Sequence, residues 1–326
     1  MPTVTIAIPT FERDAYLRRA LDSALAQSFT DFEICISDNS ETDAIKDLVA
    51  TYDDPRIRYD RNASNIGPRK NWIRAITLGS GKYVASLHDD DEWEPEFLER
   101  CIATFERHPD ASMVFCDYIV IDEHSQPSPA KTKVERERSG RDRLPAGPLQ
   151  GALVDKLRTA VVDNAAQPAY AAVLSRSAVL GVDFPEGLDL VYDIWITYQL
   201  LTSDHILVYV PEPLTRYRVH GGNLTAAGIV AAEDTFFSIV SAEQASDAGF
   251  IADLNNRWGD LRWGRATRLL VADDLDGAQK EFAAIGTLLS GPKKYVARFG
   301  AGPRVARIIL RQTKQAVGFA RSIRAT

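Results

Sequence analysis

Strand-like and helix-like segments alternate through the first 121 residues of this 326-residue chain. The strand-like runs are Val4–Ile8, Phe32–Ser37, Ile57–Tyr59, Tyr83–Leu87 and Ser112–Ile121, and the helix-like stretches are Tyr16–Ala26, Ile45–Thr51, Lys70–Leu78 and Glu96–Arg107. Such alternation predicts an α/β fold with a mostly parallel sheet flanked by helices, because parallel strands need crossover connections. Right-handed crossovers then bring the loops that follow the strands to one edge of the sheet.

A less regular region follows Ile121. Residues 122–147 are rich in Pro, Ser, Lys, Arg, Glu and Gly, which predicts a flexible surface loop, either a lid or an insertion without a role.

Further elements are expected as helices at Leu149–Val161 and Val191–Leu201 and as strands at Ala169–Leu174, Ile206–Val210 and Thr215–Val219. After about residue 225 the pattern is helical, and Leu261–Val271 and Ala278–Leu288 flank a turn. We therefore predict an α/β domain over residues 1–225 and a C-terminal helical appendage over residues 226–326.

The composition, 45% hydrophobic and 25% charged, is typical of a globular protein. The sequence contains no apolar run of about 18 residues that would predict a membrane-spanning helix, and Val4–Ile8 is not preceded by a basic signal-peptide region. Cys35, Cys101 and Cys116 each lie in an apolar stretch and are expected to be free, buried thiols in a reducing compartment. Together these features predict a cytoplasmic protein.

Three consecutive carboxylates, Asp89–Asp91, follow the strand-like run that ends at Leu87. Carboxylates so close together repel one another unless water solvates them or a cation neutralises them. Carboxylate oxygens are the ligands that Mg²⁺ and Mn²⁺ prefer, and ligands bind at the carboxyl ends of the strands in α/β sheets. The triplet is therefore either a divalent-metal site or a solvated acidic turn.

Polar residues also follow the first two strands. Pro9 is expected to stop the first strand, which leaves Thr10 and Glu12 at the edge of the sheet. The second strand runs into Ser37–Ser40, where Asp38 could accept a hydrogen bond from the imide N–H of a pyrimidine base. Each of these groups could equally cap a helix, since Asp, Asn and Ser are favoured at N-caps. Their position on the same edge as the aspartates favours a ligand site.

Two adjacent cations, Arg69 and Lys70, follow Gly67 and Pro68 at the predicted start of a helix. A helix N-terminus with basic side chains can hold a diphosphate, because its free N–H groups and its dipole both favour anions. The alternative is a basic first turn without a ligand, which the same dipole disfavours.

Five segments together resemble the pattern of glycosyltransferase family 2, and the resemblance covers about residues 3–225. These segments are Ile8–Arg13, Tyr16–Gln27, Ser37–Ser40, Asn65–Gly67 and His88–Asp91. The resemblance implies the GT-A fold, a Rossmann-like sheet, and an inverting transferase that takes its sugar from a nucleotide-sugar donor with Mn²⁺ or Mg²⁺ as cofactor. It favours UDP as the nucleotide, with dTDP and GDP as alternatives, while the sugar, the acceptor and the linkage stay open.

The family's donor-site residues can be carried over to matching positions of this sequence. The resemblance implies a nucleotide site made of Pro9, Thr10, Glu12, Asp38, Arg69 and Asp89, with Arg69 near the diphosphate and Asp89 near the ribose or the metal. Asp90 is the implied direct metal ligand, and Asp91 is the implied second residue of the metal site. His88 stands where the family often has aspartate, so the resemblance leaves the exact assignment of the metal ligands open.

The segment Leu190–Ile196 resembles the one that carries the family's catalytic base, which implies that Asp193 is the base. Tyr192 stands where an acidic residue is usual, which is a departure from the pattern. A carboxylate in this position accepts the proton of the acceptor hydroxyl as that hydroxyl attacks the anomeric carbon. The alternative role for Asp193 is only to balance the dipole at a helix N-terminus.

A loop after the base completes the resemblance. It spans Arg216–Thr225, in which His220 is the implied third metal ligand and Gly221 and Gly222 allow movement over the donor. The segment Asn164–Ser175 is expected to line the pocket for the acceptor.

The net charge of −7 is unevenly distributed, because no acidic residue follows Glu281 while Lys and Arg recur to the end. Between Arg304 and Arg321 these cations lie along one side of a predicted helix. Such a helix could lie on anionic lipid at the inner face of a membrane and bring the protein to a lipid-linked or other glycan acceptor. A helix packed on the domain with a solvated basic face explains the same pattern. Nucleic acid is not expected as a partner, because the rest of the chain is acidic, and the sequence leaves the oligomeric state open.

Two other functions are compatible with such a sheet. A sugar nucleotidyltransferase would need a Gly-rich phosphate loop after the first strand, and the sequence there, Pro9–Glu12, is not Gly-rich. A non-catalytic carbohydrate-binding or scaffold protein would be favoured by the loss of Asp90, Asp193 or His220, all of which are present.

Overall fold

Nine strands within residues 1–220 of the computed structural model form one mixed sheet. They are β1 (Val4–Thr10), β2 (Phe32–Asp38), β3 (Ile57–Arg61), β4 (Tyr83–Ser86), β5 (Glu92–Trp93), β6 (Ala111–Ile121), β7 (Gly147–Pro148), β8 (Ala172–Ser175) and β9 (Ile206–Arg218). Their order across the sheet is β3-β2-β1-β4-β8-β6-β9-β5, and β7 pairs with β9. The structure describes residues 1–220 and 230–288.

Strands β1 to β4 form one group whose paired strands are all parallel. Strands β6 and β9 form a second parallel pair. Strand β8 lies antiparallel between β4 and β6 and joins the two parallel groups. All residues of β2 and all but one of β1 are buried, which is typical of strands covered on both faces. The predicted mostly parallel sheet is therefore confirmed, and the carboxyl ends of β1, β2 and β4 meet at one edge.

The prediction that Pro9 stops the first strand is wrong, because β1 continues to Thr10. Pairing with β4 ends at Ala7, whereas pairing with β2 continues through Pro9 and Thr10. Pro9 therefore has a strand neighbour on one side only, where the N–H that proline lacks is not required for a second ladder. The extra residues bring Thr10 beside the end of β2.

Helices alternate with the strands of this sheet, and three more helices follow the last strand in the described chain. They are α1 (Asp14–Leu25), α2 (Ala44–Val49), α3 (Pro68–Leu78), α4 (Phe97–Arg107), α5 (Pro129–Arg138), α6 (Leu153–Leu157), α7 (Arg176–Leu180), α8 (Tyr192–Thr202), α9 (Val230–Glu243), α10 (Ala248–Val271) and α11 (Leu275–Leu288). In α4 the side chains of Phe97, Cys101 and Phe105 recur every fourth residue and are all buried, which shows how the apolar face of a helix is set by its period.

The segment predicted as a flexible loop, residues 122–147, instead contains α5, with Pro129 at the start of the helix. Beyond the helix, Arg141 is 2% exposed, and its Nε donates a hydrogen bond of 2.7 Å to the carbonyl of Ala165. The guanidinium of Arg141 also lies 4.4 Å from the ring centroid of Tyr118. The prediction failed because a polar composition concealed one buried cation that anchors the segment.

Two further elements differ from their predicted form. The strands predicted at 206–210 and 215–219 are one strand, β9, whose register with β6 shifts between Val210 and Pro213. A bulge absorbs the intervening Pro211 and Glu212, which read as a break in the sequence. The helix predicted from residue 149 begins at Leu153 and passes into a π-helical turn at Arg158–Val162.

The chain divides into two compact units between Phe236 and Phe237. In the second unit, α10 and α11 form the predicted helical hairpin, whose buried cluster is Ala266, Leu270, Ala278, Phe282 and Ile285. Glu281 of α11 accepts hydrogen bonds from Arg262 at 3.0 Å and from Arg265 at 3.4 Å. The C-terminal part of the described chain is thus helical, as predicted.

The basic tail and the glycines at 221 and 222 lie outside the described residues, so the predictions made for them stay predictions. Among the helices that the structure describes, none combines the length and the apolar composition that crossing a membrane requires.

Candidate active site

One cavity of about 320 Å³ opens where β1, β2 and β4 end. Of the residues predicted for the site, Pro9, Thr10, Asp89, Asp90 and Asp193 line this cavity. The other predicted residues, Glu12, Asp38, Arg69, Asp91 and His220, are placed by the contacts described below. The sheet therefore brings together segments that are more than a hundred residues apart in the sequence.

Asp89 is 5% exposed and is held by the end of β1. Its Oδ2 accepts hydrogen bonds from the hydroxyl of Thr10 at 2.8 Å and from the N–H of Phe11 at 3.1 Å. Burial, together with the nearby charge of Asp90, raises the pKa of Asp89 to about 6. Asp89 therefore takes up a proton at a higher pH than an ordinary aspartate does, and a cation beside it would favour the ionised form.

Asp90 is the carboxylate of the triplet that holds its charge best. Its Oδ2 lies 2.8 Å from Nη1 of Arg13 and 3.1 Å from Nε2 of His220. Burial opposes ionisation of Asp90, but these two partners outweigh it and hold its pKa below the ordinary value. The same guanidinium lies 3.2 Å from Oδ1 of Asp89, so Arg13 bridges two of the three aspartates.

Asp91 is 1% exposed and is held from the far side of the sheet. Its Oδ1 accepts a hydrogen bond of 2.8 Å from the backbone N–H of Arg218, the last residue of β9. Its Oδ2 is buried and has no hydrogen-bond partner among the described residues. Burial and the charge of Asp90 raise the pKa of Asp91 well above its ordinary value.

The side chains of His88, Asp90 and Asp91 form a group whose candidate ligand atoms all lie within 4.8 Å of one another. Two carboxylates and an imidazole suit a divalent cation such as Mn²⁺, and the unpartnered Oδ2 of Asp91 is a buried acceptor that a cation would satisfy. His220 reaches Asp90 from β9's end and packs against the ring of Tyr16, with centroids 4.8 Å apart. The residues present therefore fit a divalent-metal site.

Asp38, predicted to contact the nucleoside, is fully buried at the end of β2. Its Oδ2 accepts a hydrogen bond of 2.7 Å from the hydroxyl of Tyr59, and its Oδ1 accepts one of 2.8 Å from the N–H of Ser40. Burial and the hydrogen bond to Asp38 raise the pKa of Tyr59, so this phenol remains a donor. Asp38 therefore shapes the loop after β2 in the structure described.

Three asparagines line the cavity, namely Asn39, Asn65 and Asn71. The amide nitrogen of Asn39 donates to Oδ1 of Asn65 at 3.0 Å, and that of Asn71 donates to the carbonyl of Thr10 at 3.2 Å. Asn62 donates to both Asn39 and Asn71 at 2.9 Å and links them. Linked amides present donors and acceptors in fixed directions, which suits recognition of a base or a ribose.

Glu12 lies at the rim, with a φ of 55° that is unusual for a residue other than glycine. Its Oε1 accepts from the N–H groups of Glu41 and Thr42 at 2.8 and 3.2 Å, and its Oε2 accepts from the Thr42 hydroxyl at 2.9 Å. Those hydrogen bonds, the one from the Thr42 hydroxyl foremost, lower the pKa of Glu12. In this structure Glu12 joins the loops that follow β1 and β2.

Arg69 lies in the first turn of α3, where the sequence predicted a diphosphate contact. Its Nε lies 2.8 Å from Oδ1 of Asp189, a residue that lines the cavity, and its guanidinium lies 5.1 Å from the ring centroid of Phe184. The Arg69 side chain is 18% exposed and that of Asp189 is 48% exposed. Arg69 thus lies next to the cavity, while an acidic side chain holds it in place.

Asp193 lies in the first turn of α8 and lines the same cavity as the three asparagines. Burial raises the pKa of Asp193, and the N–H of Ile194 opposes this by stabilising the charged form. A carboxylate with a raised pKa binds a proton more strongly than an ordinary one, so it can act as a general base.

Tyr192, the residue before Asp193, is 6% exposed and carries its hydroxyl 2.8 Å from Nε2 of His88. The ring of Tyr192 packs against that of Trp72 with centroids 5.1 Å apart. Burial raises the pKa of Tyr192 well above its ordinary value and lowers that of His88. The contact joins the start of α8 to the turn that carries the aspartates.

An aromatic wall completes the cavity. Tyr170 and Tyr217 both line it, and their rings stack with centroids 4.6 Å apart and an interplanar angle of 26°. Ala169 and Tyr170 belong to the segment 164–175 that was predicted to line an acceptor pocket. Aromatic faces beside a carboxylate suit the apolar faces of a sugar ring.

Sequence reasoning missed several residues of the site. Arg13 lies in the segment Ile8–Arg13 that carried the resemblance, but it received no role. A cation four residues after Pro9 could have been matched to the acidic triplet. Tyr192 and His88 were noted only as departures from a pattern. Asn39 and Asn65 lie in segments that carried the resemblance but received no role, and Asn71 gave no signal, because a single asparagine near a turn is common in any sequence.

Residues 5–152 match the model of Glycosyl transferase family 2. A segment of 95 residues is 38% identical to the GalNAc(5)-diNAcBac-PP-undecaprenol beta-1,3-glucosyltransferase of Campylobacter jejuni, covering 28% of this chain and 31% of that protein. The chain spans less than half the length of the curated relatives that it matches first.

The fold is similar to that of solved proteins over nearly the whole chain. TarS 1–349 of S. aureus in complex with UDP superimposes with a TM-score of 0.63 at 13% identity, covering 96% of this chain and 92% of that one. The mannosyltransferase PcManGT of Pyrobaculum calidifontis, in complex with GDP-Man and Mn²⁺, gives a TM-score of 0.53 at 16% identity, covering 96% and 86%. At such low identity these likenesses show a shared fold and leave the chemistry to the site.

Proposed function

Because this chain belongs to glycosyltransferase family 2 through its residues 5–152 and has the GT-A fold, we propose that it is an inverting glycosyltransferase. It moves a sugar from a nucleotide-diphosphate donor, a UDP-sugar, to a hydroxyl of a glycan or lipid-linked acceptor. The observation that carries the proposal is that one cavity is lined both by Asp89 and Asp90 and by Asp193. A metal-and-diphosphate group and a general base thus face the same space.

The donor nucleoside lies on the side of the asparagines and Thr10. Asn39 and Asn65 offer hydrogen-bonding groups there at the ends of the strands, as a ribose or a pyrimidine requires. UDP is favoured because TarS, with the same fold, was solved with UDP and with UDP-GlcNAc. Arg69 moves from Asp189 to the diphosphate when the donor binds.

His88, Asp90, Asp91 and His220 would hold the divalent cation. Such a cation, when bound, offsets the negative charge that the diphosphate gains as the bond to the sugar breaks. Arg13 adds a positive charge from the protein itself at Asp89 and Asp90. The solved PcManGT complex with Mn²⁺ supports a divalent cation for this fold.

Asp193 accepts the proton of the acceptor hydroxyl. Because its pKa is raised by burial, the ionised carboxylate is a stronger base than an exposed aspartate. Attack by that hydroxyl on the face opposite the departing diphosphate inverts the anomeric configuration in a single displacement. The stacked rings of Tyr170 and Tyr217 hold the acceptor beside this base.

The acceptor belongs to polysaccharide or cell-envelope synthesis. One relative is named as a glucosyltransferase acting on an undecaprenol-linked glycan, which supports an acceptor presented at a membrane surface. The protein would then work at the inner face of the membrane as a peripheral protein.

Thermal unfolding with UDP, dTDP, GDP and CMP, each with and without Mn²⁺, tests the donor site. Ligand at about a hundred times its Kd stabilises the folded protein by roughly 2.7 kcal/mol, which raises Tm measurably. We expect a Mn²⁺-dependent rise with UDP that Asp90→Asn abolishes and that Asp110→Asn, an exposed aspartate elsewhere, leaves intact. If no nucleotide shifts Tm with Mn²⁺, the donor site is wrong and a scaffold function becomes the better account.

A further inference from the structure

Tyr192 joins two parts of the cavity that the chain places 104 residues apart. Its hydroxyl is hydrogen-bonded to Nε2 of His88 at 2.8 Å. His88 directly precedes Asp89 and Asp90, and Tyr192 directly precedes Asp193. A single side-chain contact therefore lies one residue from the aspartate turn and one residue from the base.

The ring of Tyr192 is fixed independently of its hydroxyl. Trp72, fully buried in α3, packs against it at 5.1 Å between centroids. Trp72 is itself fixed, because its Nε1 donates a hydrogen bond of 2.9 Å to the hydroxyl of Ser86 at the end of β4. Loss of the Tyr192 hydroxyl alone would thus leave the ring packed and remove only the link to His88.

The carboxylate of Asp193 depends on the helix that carries it. The groups that stabilise its charge by hydrogen bonding are backbone N–H groups, chiefly that of Ile194. The residue before α8, Val191, donates its N–H to the carbonyl of Leu188 at 3.1 Å, which fixes the turn locally but not against the sheet. The Tyr192 contact is the side-chain hydrogen bond that ties this first turn to the aspartate turn.

We propose that Tyr192 is a positioning residue, whose hydrogen bond to His88 holds the base Asp193 at a fixed distance from the aspartates that bind the donor diphosphate. This inference rests on the proposed function, because it assigns a role to Asp193. A displacement of about 1 Å between a base and its reacting centre can lower a rate about a hundredfold. A link of this kind therefore acts on the rate of transfer. Because His88 also belongs to the proposed metal group, its effect on nucleotide affinity is judged at saturating Mn²⁺.

The first experiment needs no donor. Amide hydrogen exchange of the metal-free protein is compared between wild type and Tyr192→Phe, with Tyr209→Phe as the matched control. Tyr209 is also a buried tyrosine, and its hydroxyl donates a hydrogen bond of 2.8 Å to Asp117. We expect Tyr192→Phe to speed exchange both at residues 88–91 and at residues 192–196, and Tyr209→Phe to speed it at neither. Unchanged exchange at either segment in Tyr192→Phe would overturn the link.

The second experiment measures release of UDP from UDP-GlcNAc at saturating Mn²⁺, with water as the acceptor of the sugar. We expect kcat of Tyr192→Phe to fall at least tenfold, as loss of a well-placed hydrogen bond allows, while KM stays within about twofold. Tyr209→Phe should lower Tm and keep kcat. A fall in KM and kcat together, or a kcat equal to wild type, contradicts a positioning role.

A double variant tests whether the two residues act as one unit. His88→Ala also touches the proposed metal group, so its own loss is expected to be larger. If Tyr192 acts only through His88, then adding Tyr192→Phe to His88→Ala lowers kcat no further. Independent losses that multiply would show that Tyr192 acts by another route.

The outcomes separate this inference from the proposed function. If Asp193→Asn releases UDP at the wild-type rate, the base is wrongly assigned and the proposed mechanism fails. If Asp193→Asn is inactive and Tyr192→Phe behaves as wild type in both experiments, only the positioning role fails. If the wild-type protein does not turn over UDP-GlcNAc, the exchange experiment alone decides whether the link exists.

Discussion

Nη1 of Arg13 lies 2.8 Å from Oδ2 of Asp90 and bridges to Oδ1 of Asp89 at 3.2 Å. The guanidinium thereby neutralises part of a buried acidic cluster with a group that belongs to the protein. Carboxylates of this kind would otherwise stay protonated or destabilise the fold. The acidic triplet is therefore compatible with a folded protein even when no cation is bound.

The first prediction concerns Arg13→Gln in the presence of EDTA. The variant leaves two buried carboxylates without this guanidinium, so we expect the free energy of unfolding to fall by about 1–3 kcal/mol at pH 8. The loss stays below the roughly 3–5 kcal/mol typical of breaking a fully buried ion pair, because Arg13 is partly exposed. The pKa of Asp89 is raised to about 6, so at pH 5 this group is already protonated and needs no cation. The loss should accordingly be smaller at pH 5. Urea unfolding at both pH values measures this, and an equal loss at the two would contradict the bridging role.

The second prediction separates the two adjacent cations at the start of α3. Arg69 contacts a residue that lines the cavity, whereas Lys70 is exposed. If Arg69 moves to the diphosphate, Arg69→Ala should weaken binding of UDP with Mn²⁺ about 10- to 100-fold, the range for a hydrogen bond to a charged group. Lys70→Ala is the control and should bind UDP normally. Calorimetry with uridine in place of UDP provides the contrast, because a loss of equal size with uridine would place Arg69 away from the diphosphate.

The third prediction is a pH dependence at Asp193. Since burial raises its pKa, transfer should decline as pH falls through a value above that of an ordinary aspartate. The effect on stability has the opposite sense, because a carboxyl whose pKa is raised on folding favours the fold at low pH and loses this contribution as pH rises. Asp193→Asn should be inactive because it lacks the base. Its Tm should be higher than that of wild type at pH 8 and equal to that of wild type at pH 4. A Tm below wild type at pH 8 would show that the charged carboxylate stabilises the protein.

Much of the sheet could be predicted from the sequence, because the parallel strands are short apolar runs whose period differs from that of the helices between them. The positions of Thr10, Asp89 and Asp90 at one edge followed from that alternation. The contact between His88 and Tyr192 could not be predicted, since it depends on how β4 and α8 pack across a hundred residues. Both had been noted as departures from a family pattern, yet the pattern did not indicate that the two departures touch.

The fold of residues 122–147 shows a different limit. Composition predicts exposure well when every polar residue is solvated, but Arg141 is buried against Tyr118 and the carbonyl of Ala165. One desolvated side chain was enough to turn a predicted loop into an anchored segment. Such a residue cannot be distinguished in the sequence from its exposed neighbour Arg143.

The fourth prediction tests that anchor. Arg141→Ala removes the buried stem as well as the charge and should lower the free energy of unfolding by about 2–4 kcal/mol. Arg141→Met keeps most of the volume and removes the hydrogen bond from Nε to the Ala165 carbonyl, so the loss should be about 1–2 kcal/mol, smaller than that of Arg141→Ala. Arg143→Ala, with a side chain that is 73% exposed, is the control and should be nearly neutral. A loss in Arg141→Met as large as that in Arg141→Ala would show that the polar contacts of Arg141, and not its volume, hold the segment.

The order of strands limits how this chain can be divided and recombined. The segment that matches the family ends at residue 152, yet β6 reaches β4 only through β8, which comes later in the chain. Asp91 is held by the backbone of Arg218, whose fully buried side chain donates hydrogen bonds of 2.7 Å to the carbonyls of Asp90 and Asp122. A chimera cut at the end of the recognisable segment would leave the sheet in two pieces and the aspartate turn unsupported. The smallest segment that keeps the sheet and the aspartate turn together therefore extends at least through the last strand, β9.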